Sequence, residues 1–186
     1  MSALEELSDE QLYRLMRKGD QLALAQLYER YQPALYRYAL HTSGSAAAGE
    51  EIAHEVFVRL MGPHAGFDER RGSLESYLYG IARNLVRAVR RRGRVEEVKD
   101  QAIVFDLTGD LIRQEMVSAL YAAMDALPEP YRDVVVLCEL EERSYAEAAR
   151  LLQCPLGTVR SRLHRARMFL AARLRPVRDL SEVGAE

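Results

Sequence analysis

Arginine side chains are concentrated in two stretches of this 186-residue chain. Residues 70–94 carry eight basic and one acidic side chain, a net charge of +7, and residues 155–178 carry seven arginines and no acid. Basic side chains that neutralise phosphates release counterions, so such stretches favour nucleic acid as a ligand. The rest of the chain is acidic, because the net charge of the whole is −2. Solvated arginine faces are the alternative interpretation of each stretch.

The second basic stretch belongs to a pattern typical of a helix-turn-helix. Ser144 and Glu147 form the capping box S-x-x-E, which opens a short helix. Its predicted contact face consists of Ala148, Ala149, Leu151 and Leu152. Gln153-Cys154-Pro155 breaks this helix, and Pro155 fits the first turn of the next one. The next helix has a predicted buried stripe of Val159, Leu163, Ala166, Leu170 and Leu174. Its opposite side carries Thr158, Arg160, Ser161, Arg162, His164, Arg165 and Arg167.

That opposite side has the chemistry needed to read a DNA major groove. In a helix-turn-helix, a short first helix braces a second one whose N-terminal residues reach base edges. Arginine can bond guanine with two hydrogen bonds, which discriminates against the wrong base by roughly 1–3 kcal/mol. We therefore expect DNA contacts from Thr158, Arg160, Ser161, His164 and Arg165. An amphipathic surface helix in a bundle is the alternative.

Helical periodicity dominates the whole chain and predicts an all-α fold of two small domains joined by a flexible linker. Besides the helix-turn-helix, helices are predicted over residues 9–18, 20–41, 46–61, 73–92, 111–127 and 131–140. Pro33 implies a kink or a break in the second of them. The resulting units are a domain of residues 1–94, an acidic linker of residues 95–110, a domain of residues 111–178 and a tail of residues 179–186.

Each predicted helix has an apolar face at helical spacing. In the first domain these faces are Leu12, Leu15 and Met16; Leu24, Leu27, Tyr28, Tyr31, Leu35 and Tyr38; Ile52, Val56, Phe57 and Leu60; and Leu74, Tyr77, Leu78, Ile81, Leu85 and Val89. In the second domain they are Leu111, Ile112, Met116, Leu120, Met124 and Leu127, and then Val134, Val135 and Leu137.

Several classes of function lack their usual signals. The N-terminus is acidic and no long apolar run occurs, so we expect a cytoplasmic protein without membrane insertion. Cys138 and Cys154 are interpreted as small buried apolar residues in reduced form. The four histidines and two cysteines lack metal-ligand spacing, and no Walker motif, nucleophile elbow or G-x-G-x-x-G occurs. No metal, cofactor or catalytic residue is predicted, and we do not expect an enzyme.

Five segments, in order along nearly the whole chain, resemble motifs of the extracytoplasmic-function (ECF) sigma factors, the smallest group of the main bacterial sigma family. They are GDQLALAQLYERYQPALYRYA at 19–39, GEEIAHEVFVRL at 49–60, FDERRGSLESYLYGIARN at 67–84, LPEPYRDVVVL at 127–137 and SYAEAARLLQCPLGTVRSRLHRAR at 144–167. The resemblance departs at His54, Tyr77, Gly80 and Gln153, where glutamine, tryptophan, arginine and glycine are usual.

The resemblance implies a transcription initiation factor with a sigma region 2-like and a sigma region 4-like domain. The implied partners are core RNA polymerase, through the clamp of its largest subunit and its flap, promoter DNA in double-stranded and melted form, and an anti-sigma factor. Polymerase binding is carried over to Glu51, Glu55 and Phe57. Reading of the minus-ten element is carried over to Phe67, Arg70, Arg71, Ser73, Asn84, Arg87 and Arg91. Reading of the minus-thirty-five element is carried over to the helix-turn-helix face already described.

The aromatic and basic residues around the 67–84 segment suit DNA melting. A flipped base needs a pocket with aromatic walls, which Phe67, Tyr77 and Tyr79 offer. Core packing is the alternative for these aromatic residues, and it is the favoured interpretation of Tyr77. A row of arginines on the following helix would lie along phosphates: Arg83, Arg87, Arg90, Arg91, Arg92 and Arg94. The acidic linker resembles the family's segment that threads the polymerase cleft, where its charge would mimic nucleic acid.

Three other functions remain open at this point. A helix-turn-helix regulator that binds DNA without core polymerase explains residues 144–174 but not the motifs at 49–84. An interaction protein, such as a helical adaptor or an antagonist that mimics a sigma domain, would tolerate loss of Arg160 and Arg165. An enzyme is the third.

Overall fold

A computed structural model of the chain describes residue 4 and residues 6–63, 65–93 and 111–183. The α-helices in these ranges are α1 Asp9–Arg17, α2 Gln21–Ser43, α3 Ala46–Met61, α4 Leu74–Gly93, α5 Leu111–Asp125, α6 Glu129–Val135, α7 Tyr145–Leu151 and α8 Leu156–Val183. Within the described residues no strand occurs, and α1–α4 form one compact unit while most of α5–α8 forms a second. The all-α prediction is confirmed, whereas the predicted linker of residues 95–110 lies outside the described residues.

Polar side chains cap the helices of the first unit, as their sequence suggests. Ser8 and Gln11 form a reciprocal capping box at the start of α1, and Asp20 accepts hydrogen bonds from the first turn of α2. Ser45 caps α3 in the same way. Pro33 lies inside α2, which continues through it over 23 residues, so the predicted break does not occur. The missing proline N–H removes one helical hydrogen bond, and packing of α2 against three other helices compensates for it.

The core of the first unit lies between α2, α3 and α4, with α1 packed on α2. The predicted stripe of α3 is buried, and so are Leu27, Tyr31, Leu35 and Tyr38 of α2. Two residues of the predicted α2 face do not belong to it: Leu24 is half-buried and Tyr28 is 39% exposed. Gly49 permits a close approach of α3 to α2, because a Cβ there would lie 3.2 Å from the backbone nitrogen of Leu40.

The buried face of α4 differs from the predicted one. Leu74 and Leu78 are fully buried as predicted, but the face continues through Ala82 and Val86 and includes Tyr79. The other predicted members are half-buried: Tyr77, Ile81, Leu85 and Val89. The predicted face contained only large apolar side chains and so left out Ala82. In the structure α4 packs against both α2 and α3, and the small Ala82 allows that close contact.

The second unit is organised around a buried arginine. Arg132 of α6 is 2% exposed and donates from Nε to the carbonyl of Met124, at 2.8 Å, and from Nη2 to those of Asp125 and Leu127, each at 2.6 Å. These carbonyls belong to the last two residues of α5 and to Leu127 just beyond it, so the guanidinium caps the C-terminal end of α5. Helix α5 ends at Asp125, before the prolines, and Pro130 lies in the first turn of α6. Proline therefore starts α6 rather than ending α5.

Several residues of the second unit have an environment that differs from the predicted one. Val134, Val135 and Leu137 are buried as predicted, but residues Val136–Leu140 form a π-helical turn rather than the end of one α-helix. Met116 is 46% exposed and Leu120 is half-buried. Cys138 and Cys154 are free thiols and both are half-buried, not fully buried. Burial raises the pKa of the Cys138 thiol to about 11.

Candidate nucleic-acid interface

The helix-turn-helix is formed by α7, the turn of residues 152–155 and the N-terminal part of α8. The predicted capping box is confirmed: the Ser144 amide donates to Glu147 Oε2 at 2.9 Å, and the Glu147 amide donates to Ser144 Oγ at 3.2 Å. Gln153 in the turn has a φ of +51°, in the left-handed region where glycine is favoured. Glutamine therefore stands in a backbone conformation that favours glycine, which is the usual residue of the resembled motif at this position.

One side of α8 is buried and the other carries the predicted DNA-reading residues. Val159, Leu163 and Ala166 are buried, while Leu170 and Leu174 towards the C-terminal end are half-buried. Helix α8 continues to Val183, beyond the start of the predicted tail. On the opposite side Arg160, Ser161, His164 and Arg165 are exposed and Thr158 is half-buried. The period of the sequence thus produces a continuous polar surface on one helix.

The side chains on this surface differ in how far they are engaged within the protein. Ser161 Oγ donates to the carbonyl of Thr158 at 3.1 Å, and Arg165 Nη1 lies 3.5 Å from Tyr131 Oη. Arg167 is bound to Glu139 at 2.6 Å, which leaves it less suited to phosphate than its neighbours. Among the described residues, Arg160 and His164 make no hydrogen bond or ion pair. These two side chains can reorient towards a base edge without breaking an internal contact.

Helix α4 carries the second basic surface. Asn84 and Arg91 are exposed and Arg87 is half-buried; the three lie one turn apart on a single face. Arg87 Nη1 lies 3.5 Å from Asn84 Oδ1. Arg90 points elsewhere, because its Nη1 donates to the carbonyl of Thr42 at 3.3 Å. Arg90 thus holds α4 to the end of α2, whereas the sequence placed it along DNA phosphates.

Phe67 lies at the centre of an aromatic cluster in the loop between α3 and α4, residues 62–73. Its half-buried ring makes an edge contact with Tyr13, at a centroid distance of 5.0 Å, and lies 5.7 Å from the Tyr77 ring. The Gly66 amide donates to Tyr77 Oη at 3.0 Å. Tyr77 thus supports the loop from α4 and remains half-buried. Tyr13 was not predicted as part of this site, because it lies on α1, far away in the sequence.

The remaining loop residues divide into exposed cations and structural side chains. Arg70 and Arg71 are exposed in a 3-10 turn that spans Glu69–Arg71. Ser73 Oγ accepts from the Ser76 amide at 3.2 Å and caps α4. Tyr79, predicted as a wall of a base pocket, is instead 3% exposed and packs edge-on against Tyr38 at 5.2 Å. It belongs to the core because it lies on the buried face of α4.

The predicted polymerase-binding residues of α3 do not share one environment. Glu51 and His54 are exposed, and the half-buried Glu55 accepts from Arg59 at 2.9 Å. Phe57 is 2% exposed, and its ring packs 4.8 Å from that of Tyr28. Phe57 therefore supports this surface from beneath. Two apolar side chains that the sequence did not single out extend the outer face, since Val58 is 41% and Met61 46% exposed.

Other kinds of site are not found in the described part of the chain. No group of three or more His, Cys, Asp or Glu side chains there is arranged to hold a metal ion. None of the helices in the described ranges combines the length and the hydropathy needed to span a bilayer.

Two helical units, one with an exposed arginine face on a helix-turn-helix and one with a basic helix beside an aromatic loop, are typical of a DNA-binding protein. The family description "Sigma-70 region 2" matches residues 27–95, and "Sigma-70, region 4" matches residues 118–170. The ECF RNA polymerase sigma-E factor of Escherichia coli K12 is 31% identical, with 93% of this chain and 97% of that protein covered. The chain therefore belongs to the ECF sigma factors of bacterial RNA polymerase, which are transcription initiation factors.

Two further proteins resemble the chain. ECF RNA polymerase sigma factor SigE of Mycolicibacterium smegmatis is 35% identical over 82% of this chain, and the alignment spans 63% of that relative's length. Among solved structures, the sigma factor RpoE of Bartonella quintana, crystallised with the anti-sigma factor NepR, matches with a TM-score of 0.61 and 25% identity. That match covers 81% of this chain and 96% of RpoE.

Proposed function

We propose that this protein binds core RNA polymerase and directs it to promoters whose minus-thirty-five element is read by α8 and whose minus-ten element is read by α4 and the loop of residues 62–73. The observation that carries the proposal is the presence of two exposed basic surfaces on separate units, each matching a different sigma region. The protein contributes binding energy and no catalytic group of its own. It acts in the cytoplasm, where the polymerase and the chromosome are.

The minus-thirty-five reader is the exposed face of α8. Arg160, Ser161, His164 and Arg165 project from the first three turns, the part of a recognition helix that reaches base edges. Thr158 stands at the start of α8 and contacts the DNA backbone or the first base pair. The two arginines supply the bidentate donors that discriminate guanine, and His164 adds a third donor or acceptor between them.

The minus-ten reader combines a stacking surface with a phosphate track. Phe67 provides a partly exposed ring on which an unstacked base can lie, with Arg70 and Arg71 beside it for the phosphates. Asn84 on the next helix reads a base edge, while Arg87 and Arg91 on the same face hold the backbone in register. Ser73 keeps the start of α4 in place, so that the loop and the helix act as one surface.

Polymerase contacts are assigned to two surfaces, one on each unit. On α3, Glu51 and Glu55 face the clamp together with the exposed Val58 and Met61, above the buried Phe57. On the second unit, an apolar groove of about 270 Å³ suits an apolar segment of the flap. Its lining residues are Leu120, Tyr121, Met124, Val135, Glu139, Leu140, Arg167 and Leu170.

An anti-sigma factor is the proposed regulator. RpoE of Bartonella quintana has been crystallised with such a partner, and this chain shares its fold over most of its length. The exposed apolar residues of the proposed polymerase surfaces would serve equally for a competitor. A binder that covers them would prevent assembly with the polymerase.

Run-off transcription tests the proposal directly. Purified core polymerase is incubated with a library of genomic fragments, with and without the protein, and new transcript starts are mapped. We expect discrete starts that disappear when Arg160→Ala and Arg165→Ala are combined. Arg37→Ala is the matched control, because this exposed arginine of α2 belongs to neither proposed DNA surface.

The competing function predicts a different result. A helix-turn-helix regulator that acts without core polymerase would bind specific DNA alone and give no core-dependent starts. That outcome would also remove the role assigned to Glu51 and Glu55. Loss of transcription in the Arg37→Ala control would show that the double variant fails through charge alone.

A further inference from the structure

The loop of residues 62–73 requires support from outside itself. It contains Gly62, Gly66 and Gly72, and Gly72 has a φ of +146°, which few side chains tolerate. Glycines lose the most conformational freedom when they are fixed, so a single loop geometry must be stabilised by contacts. Two of these contacts come from α4, through Tyr77 Oη and the Ser73 cap. The others come from α1.

Helix α1 contacts the loop at its beginning, its middle and its 3-10 turn. Arg17 Nη1 donates to the carbonyl of Gly62 at 2.8 Å and approaches that of Met61 at 3.4 Å. These carbonyls are at the C-terminal end of α3, where helical acceptors are left without partners. The Tyr13 ring meets the edge of Phe67 with an interplanar angle of 83°. Arg14 forms an ion pair with Glu69.

The position of α1 is in turn fixed by the core. A helix of nine residues is not stable by itself, so its geometry depends on packing. Leu12 is fully buried and Met16 is 8% exposed. At its first turn, Asp9 accepts hydrogen bonds from Tyr31 and from Arg30, the latter at 2.5 Å. Helix α1 is therefore a rigid extension of the helical core that reaches the loop.

We propose that α1 is a positioning element of the minus-ten reader, and that Tyr13 and Arg17 set its base selectivity by holding Phe67 in place without touching DNA. This inference rests on the proposed function of the loop. An edge-to-face ring contact orients Phe67, since such contacts favour particular ring geometries. A base stacked on a misoriented ring loses its hydrogen-bond geometry before it loses its stacking. Selectivity is therefore more sensitive to α1 than affinity is.

The test uses the full chain assembled with core polymerase, on a promoter obtained in the run-off assay and varied to all four bases at each minus-ten position. In Tyr13→Leu the ring is lost and its approximate volume is kept. We expect discrimination between the preferred base and the others to fall roughly three- to tenfold at one position. Transcription from the best promoter should fall less. Tyr13→Phe should retain the wild-type discrimination, since the ring contact remains.

Two control variants separate this inference from general destabilisation and from the proposed function. Tyr36→Leu replaces a half-buried tyrosine that contacts α3 near Gly49, about 18 Å along the helix from the loop. It should leave discrimination unchanged. Phe67→Leu should remove discrimination at the same position as Tyr13→Leu.

Three outcomes would overturn the inference. Unchanged discrimination in Tyr13→Leu, with discrimination lost in Phe67→Leu, would leave the proposed function intact and remove the role of α1. An equal loss in Tyr13→Phe and Tyr13→Leu would mean that the hydroxyl itself contacts DNA. A uniform loss for all four bases would mean that Tyr13 only stabilises the fold. If Phe67→Leu also retains full discrimination at every position, the loop does not read the minus-ten element and the proposed function fails there.

Discussion

The two surfaces proposed to face DNA in this sigma factor are held in different ways. The surface on α8 consists of side chains that project from one helix, whose opposite side is buried through Val159, Leu163 and Ala166. The loop of residues 62–73 is instead held from both sides, by Tyr13 and Arg17 of α1 and by Tyr77 of α4. The helix presents a surface that its own periodicity creates, whereas the loop acquires its shape from distant parts of the chain.

This difference determines where mutations should act. On α8, replacing an exposed side chain should change DNA reading and leave the fold unaltered. In the loop, residues that never contact DNA should change the reading, because they position those that do. Changes to the support of each surface should therefore have different consequences from changes to the surface itself.

The largest effect is expected from the support of α8. Arg132→Met removes a buried guanidinium that caps α5, and with it three hydrogen bonds to backbone carbonyls. We expect the second unit to lose about 3–5 kcal/mol of stability, since a hydrogen bond from a charged group contributes roughly 1.5–3 kcal/mol and some of the carbonyls recover a water molecule. Helix α8 packs on both α5 and α6, so promoter reading should fail as well. Thermal unfolding, with hydrogen exchange to locate the change, measures this.

Arg143→Ala is the control for that experiment. Its partner Glu147 is 3.8 Å away and partly exposed, so the ion pair contributes little. If Arg132→Met unfolds no earlier than Arg143→Ala, the buried arginine is not the support of α8. The surface of α8 would then depend on its own helix alone, and its contrast with the supported loop would be greater.

The support of the loop can be loosened at Tyr31. The pKa of Tyr31 is raised above its usual value of about 10. Burial of the hydroxyl is the larger cause, and the hydrogen bond to Asp9 is the second. Tyr31→Phe removes one of the contacts that anchor α1, while Arg30 retains the other. We expect the first unit to lose about 1.5 kcal/mol at neutral pH, as for a hydrogen bond to a charged group. Denaturant unfolding measures the loss.

The sign of the pH dependence follows from the raised pKa. A folded-state pKa above the unfolded one stabilises the protein fully below about pH 10, and this stabilisation is lost as the pH rises further. The wild-type protein should therefore lose stability above about pH 10 more steeply than Tyr31→Phe does. Parallel slopes for the two proteins would contradict the assignment of the hydrogen bond. Base selectivity in Tyr31→Phe should fall in the same direction as in Tyr13→Leu, but less.

What the sequence predicts follows the same division. The sequence predicts the helix-turn-helix, its capping box and the exposed arginine face. It does so because α8 packs mainly through one side, so that the helical spacing of its apolar residues matches the side that is buried. The buried face of α4 was displaced in the prediction because α4 contacts two helices at once, and Ala82 carries little hydrophobic signal. The contact of Tyr13 with Phe67 could not be predicted, since no local pattern links residues so far apart.

Three side chains show where a sequence motif or a charge count is ambiguous. Phe57 belongs both to the predicted buried face of α3 and to the motif for polymerase binding, and in the structure its ring is buried against Tyr28. The sequence placed Arg90 along DNA phosphates and gave no role to Arg132, whereas in the structure both donate to backbone carbonyls, at the ends of α2 and α5 respectively. Charge composition identifies basic stretches, but it does not distinguish an arginine that binds phosphate from one that caps a helix.

A smaller effect is expected at the turn that precedes α8. Gln153 is exposed and has a φ of +51°, which a residue with a Cβ adopts at a cost of about 1 kcal/mol. Gln153→Gly should stabilise the helix-turn-helix by about 0.5–1 kcal/mol, measured as a higher melting temperature. Leu156→Gly, beyond the turn and inside α8, is a control that should destabilise it. A lower melting temperature for Gln153→Gly would mean that the glutamine side chain makes a compensating contact.

The finest distinction between the two surfaces comes from single arginines, which should leave the stability of the fold unchanged. Arg91→Ala on α4 should weaken binding of the polymerase complex to all promoters alike and lower the slope of log affinity against log salt by about one. Arg160→Ala on α8 should instead reduce discrimination at one minus-thirty-five position, with a cost of roughly 1–3 kcal/mol for the preferred base. Titrations at several salt concentrations, on promoters that differ at one base pair, separate the two effects. Sequence-selective loss in Arg91→Ala would place that side chain on a base edge and make the phosphate track of α4 a reading surface.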